Sequence, residues 1–86
     1  MNNYCITIII NGKYNNHYFE DLVIGQIIYI NGIKFRIKAI GVRIRQQPCT
    51  KELYFDLNVN HITCIQLTKR TNMRLVSFKF IKIQQK

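Results

Sequence analysis

Residues 25–45 read GQIIYINGIKFRIKAIGVRIR. Asn31-Gly32 divides two apolar runs. In that setting an Asn-Gly pair is the strongest short-range hairpin signal, because both central turn positions take positive φ and these residues do so at least cost. A two-residue turn fixes the register: Ile30 opposes Ile33, Tyr29 opposes Lys34, Ile28 opposes Phe35 and Ile27 opposes Arg36. Cross-strand partners share a face. One face, with Ile28, Ile30, Ile33, Phe35, Ile37 and Ala39, is expected to be core. The other carries Ile27, Tyr29, Lys34, Arg36 and Lys38, a basic surface with one aromatic and one aliphatic side chain set into it.

The same signal stands 20 residues earlier, where Tyr4 to Ile10 runs into Asn11-Gly12. A second hairpin is expected there. Its return strand, Lys13 to Tyr18, is polar and reads as an edge strand or loop. FEDLVIG, 19–25, has room for one helical turn, with Phe19 and Leu22 both toward the core. Gly41 interrupts the long run and marks a bulge or bend, after which Val42 and Ile44 face one way and Arg43 and Arg45 the other. Gln46 to Lys51 is a loop holding the single proline. Leu53, Phe55, Leu57 and Val59 alternate with polar residues and Tyr54, the pattern of a half-buried antiparallel strand. Asn58 to His61 is expected to turn the chain, Thr63 to Leu67 to form a short strand, Lys69 to Asn72 a basic turn, and Arg74 to Ile83 a final strand with Val76, Phe78 and Phe80 inward. Gln84 to Lys86 is a tail. The expected fold is all-β, a single domain over residues 1–86. It is a small five- to six-stranded antiparallel barrel or sandwich, similar in architecture to SH3-like or OB-like folds, with at most one short helical turn.

Composition bounds the function. The chain has 86 residues and a net charge of +9, from 13 Lys and Arg against four acids. That imbalance favours a polyanionic partner. The Ile, Asn and Lys richness, with one Ala and no Trp, is also what an AT-rich genome produces, so the placement of charge says more than its total. Three widely spaced cysteines do not make a disulfide framework and point to reduced thiols in the cytoplasm. No apolar run approaches the ~20 residues of a membrane span, and the N-terminal residues do not read as a signal peptide.

The candidate site is the basic hairpin face. Lys34, Arg36 and Lys38 lie beside Tyr29, and Arg43 and Arg45 follow the bend. Cations contact phosphates, and an exposed Tyr stacks on a base. The plain alternative is a solvated sheet face in a lysine-rich chain. Lys69, Arg70 and Arg74 add three cations at the later turn, a feature that also serves solubility alone. His61 and Cys64 have a ligand-like spacing, but no second pair completes a metal site, so no metal or other cofactor is expected. The four acids form no acid–base pair, Ser77 is the only serine and lies mid-strand, and no catalytic motif is present. The expectation is therefore a non-enzymatic, intracellular binder of DNA or RNA, largely indifferent to sequence.

Two rivals fit the same residues. One is an accessory protein of a virus or other mobile element that binds a host protein, for instance by β-augmentation along Tyr4 to Ile10. The other is a homo-oligomer holding a small anionic ligand, associating through Ile27, Ile40, Ile81 and Ile83.

Overall fold

The computed structural model describes residues 3–67 and 74–83; Lys69 and Arg70, the KRTN turn and the tail lie outside the described residues. Among the described residues there are six strands and no helix: β1 Tyr4–Ile10, β2 Lys13–Phe19, β3 Ile27–Ile30, β4 Ile33–Gln46, β5 Leu53–Gln66 and β6 Arg74–Lys82. All pairings are antiparallel, in the order β2-β1-β6-β5-β4-β3. The sheet curls into a nearly closed barrel. Ile28 and Ile30 of β3, at one edge, share a single core with Ile6 of β1, while Phe19 at the end of β2, the other edge strand, packs on that core.

Both Asn-Gly turns form as expected. Asn11 and Gly12 have φ of 52° and 76°, Asn31 and Gly32 of 53° and 78°. The β3–β4 register matches the sequence reading pair for pair. Phe35 and Phe78 meet edge to face at 5.1 Å in the core, and Ile37, Ile62 and Cys64 are wholly buried beside them. Two residues expected on that face depart from it: Ile33 abuts the turn, where the sheet ends, and is 41% exposed, and Ala39, carried past a register shift after Ile37, pairs with the outward-facing Thr63 instead of pointing into the core. The helical turn expected in 19–25 is absent. Val23 to Gln26 makes a hydrogen-bonded turn instead, and Phe19 and Leu22 still reach the core from extended backbone. Tyr4 to Ile10 is free on one side only from Thr7 onward. It pairs along its length with β2, and Tyr4 to Ile6 pair also with β6.

The larger departure is in β5. Asn58 to His61 does not turn the chain back. It is a bulge inside one long strand, set against Gly41 alone, since Ile40 pairs with Ile62 and Val42 with Leu57. Asn58 Oδ1 accepts the Asn60 N–H at 2.9 Å, and Gly41 takes a φ of 80°. The distal halves, Val42–Gln46 and Leu53–Leu57, form a two-stranded arm beyond the bend. Leu53 and Phe55, expected to be half-buried, are exposed, and Leu57 is 91% exposed. The side chain of Val59 lies outside the described residues.

The cysteines are free, Cys5 and Cys64 buried and Cys49 exposed in the loop at the arm's tip. Burial pushes the Cys64 thiol up to about 12. Because the thiolate is the reactive form, the native protein is expected to titrate one thiol rapidly, that of Cys49, and all three only after unfolding. Rapid modification of Cys64 in native buffer would contradict the packed β4–β5–β6 core. Among the described residues no helix is long and apolar enough to cross a membrane.

Candidate nucleic-acid interface

Strand alternation and the bulges decide which side chains reach the outer face. Ile62 and Cys64 of β5 and Val76 and Phe78 of β6 point into the barrel, so His61, Thr63 and Ile65, with their partners Lys79, Ser77 and Leu75, point out. Arg36 pairs with Ile65 and Ile27 with Arg36, which gives an outward row Ile27–Arg36–Ile65–Leu75. Tyr29 and Lys34 form the next row. Lys38 is the extra residue where the β4 register shifts between Ile37 and Ala39. Lys34, Arg36 and Lys38 are all exposed, and Tyr29 is 58% exposed. The shift at Lys38 reverses the parity of β4, so that odd-numbered residues face outward from Ala39 on, and beyond the Gly41 bend Arg43 and Arg45 are exposed as well.

The arm folds back over this outer face. Thr63 donates to the carbonyl of Val42 at 2.7 Å, and the N–H of Ile44 donates to Ser77 Oγ at 2.7 Å. The two hydroxyls lie 2.8 Å apart. A hydroxyl has one proton, and that of Thr63 is committed to Val42, so Ser77 donates to Thr63. The chain Ile44 N–H, Ser77, Thr63, Val42 carbonyl is then satisfied throughout and aligned, an arrangement that polarises each member. It explains why Thr63, a polar residue on the outer face, is only 2% exposed. Replacing Ser77 by Ala leaves the Ile44 N–H and a Thr63 acceptor unmatched, and is expected to cost about 1–3 kcal/mol in chemical denaturation. Nothing in the sequence marks this tether beyond two hydroxyl residues placed mid-strand.

Past the tether the arm stands off the sheet. The gap is an open cleft of about 680 Å³. Ile44, Gln46 and Leu53 line it from the arm, Gln66, Arg74 and Leu75 from the ends of β5 and β6. Arg74, one of the later cations singled out by the sequence, therefore borders the cleft.

The cations differ in their freedom. Arg45 is bound to Asp56 at 3.0 Å and lies 5.9 Å from the centroid of Tyr54. It is tied to the arm, which departs from the free phosphate contact expected of it. That is the only ion pair among the described residues, so Lys34, Arg36 and Lys38 have no carboxylate partner there, and Arg43 makes no ion pair because its cross-strand neighbour Asp56 is held by Arg45. His61 is the cross-strand partner of Lys79 and also feels the charge of Arg43. Burial lowers its pKa below the ordinary 6.5, and the two cations lower it further. The unfolded chain thus holds the His61 proton more tightly than the folded one. Stability contributed by neutral His61 is complete above pH 6.5 and is lost as pH falls through the lowered value. His61→Gln is expected to flatten the decline of melting temperature between pH 6.5 and 5; an unchanged decline would assign it to other groups. Cys64 faces the core and His61 the outside, so the spaced pair noted in the sequence does not converge, and no group of three metal-ligating side chains occurs among the described residues.

Comparison with known protein families, curated proteins and solved structures returned no match. The reading of this surface rests on its own chemistry.

Proposed function

We propose that the protein is a non-enzymatic nucleic-acid binder acting in the cytoplasm. It holds the phosphate backbone on the outer face of the β3–β4 hairpin, largely without regard to sequence. The observation that carries this reading is the set Lys34, Arg36, Lys38 and Arg43. These exposed cations share one strand, with no ion pair among the described residues, beside the exposed ring of Tyr29. Phosphate neutralisation by Lys and Arg releases condensed counterions, and it needs cations that are not already paired. Arg45, held by Asp56, contributes to the field of the surface and little to direct contact.

The test is an anisotropy titration of labelled nucleic acid at several salt concentrations. Four phosphate contacts give a log–log slope of roughly −3.6 on duplex and about −2.8 on single strands. Affinity on duplex should then fall about 150-fold between 50 and 200 mM salt, figures that follow from the same ~0.9 per contact. No binding at micromolar protein in low salt would overturn the proposal.

A further inference from the structure

We propose that the cleft beneath the arm receives an unpaired base, so that the protein prefers single-stranded nucleic acid to duplex; this rests on the nucleic-acid reading above. Phe55 is the cross-strand partner of Ile44 and shares its face of the arm with Ile44, Gln46, Leu53 and Leu57. Ile44, Gln46 and Leu53 line the cleft, and Phe55, at 59% exposure, presents a ring on the same face with no packing partner in the core. An apolar group of this size on a small domain marks a binding surface. A volume of about 680 Å³ lies within the range of small-ligand sites.

The chemistry selects the occupant. Gln46 and Gln66 line the cleft. Gln46 Nε2 donates to the Lys51 carbonyl at 3.3 Å, which leaves its Oε1 as an acceptor, while an amide such as that of Gln66 both donates and accepts, which suits the edge of a base. Arg74 lies at the same site, and Leu75 on its floor continues the outward row that begins at Ile27 and Arg36. A strand laid along the unpaired cations thus brings its bases to an apolar slot with an aromatic beside it. Bases of a single strand splay out and stack on such rings; bases of a duplex are already stacked and paired. A second copy of this chain is the poorer occupant, because it would set +9 against +9.

The experiment compares labelled oligo(dT) with a duplex of equal length, at the same salt, for the wild-type protein and Phe55→Ala. The ring is exposed, so the variant is expected to keep the wild-type circular dichroism and melting temperature. The expected result is tighter binding to oligo(dT) than to duplex, and a loss of about 5- to 150-fold on oligo(dT) in the variant, with duplex binding unchanged. Equal affinity for the two forms, or an unchanged affinity of the variant for oligo(dT), would overturn the cleft's assignment and leave the basic face standing. Binding of neither form would overturn both. Sedimentation showing a dimer that Phe55→Ala dissolves would assign the arm to self-association and overturn the proposal.

Discussion

Phe35→Ala is expected to remove most of the stability of the fold. The ring is 4% exposed, stacks edge to face on Phe78 at 5.1 Å and closes the core between β3, β4 and β6. Truncating a buried Phe costs about 3–5 kcal/mol, the transfer of the ring plus the cavity that remains. A chain of 86 residues has roughly 4–13 kcal/mol in total, at about 0.05–0.15 kcal/mol per residue. The variant should show a sharply lowered denaturation midpoint or no folded baseline. Ile33→Ala, at the exposed turn on the same face, is the control and should fall well short of that loss. Equal losses in the two variants would mean that the core is not where the register puts it.

Arg36→Gln with Lys38→Gln is expected to give the largest change in affinity. Both side chains are exposed on β4 and point away from the core, so melting temperature should barely move. Removing two phosphate contacts flattens the salt slope on duplex by about 1.8 units and weakens binding by about 200-fold at 50 mM salt, if the remaining contacts are unchanged. All sequences should weaken alike, because phosphate contacts position without specifying. A slope untouched by the double substitution would place the contacts elsewhere, around Arg74 and the neighbouring Lys69 and Arg70.

These two substitutions draw on the part of the fold that the residues announce most openly. In 25–40, turn chemistry, β-branched content and alternation agree, and the observed pairing of Ile27 to Ile30 with Ile33 to Arg36 follows from them. The arm was not legible for a definite reason. Alternation of Leu53, Phe55 and Leu57 says that one face is apolar; it does not say that anything covers that face. Asn58 to His61 has the composition of a turn, and an Asx-type bond does form within it, yet His61 has already rejoined the ladder opposite Lys79. The pairing of Arg45 with Asp56 was hidden because the two meet only across the arm, whose register depends on that bulge. The exposed basic face itself was readable, since Lys34, Arg36 and Lys38 keep a strict period of two beside the Asn-Gly turn.

The ladder between β1 and β6 has a consequence for how the chain folds. Tyr4 pairs with Lys82 and Ile6 with Phe80, so the first described strand is zipped to the last. Hairpins such as β1–β2 and β3–β4 involve neighbours in sequence and form on their own in roughly 1–10 μs. Closing the barrel is a non-local event that needs nearly the whole chain, and such contacts set the pace of folding for β-topologies. During synthesis, β1 and β2 therefore leave the ribosome as a hairpin whose free side, at Tyr4 to Ile6, has no partner until β6 has emerged. That interval leaves Ile6 and its neighbours open to mispairing. Refolding should accordingly show early strand formation and a slower, single step in which the core thiols become protected.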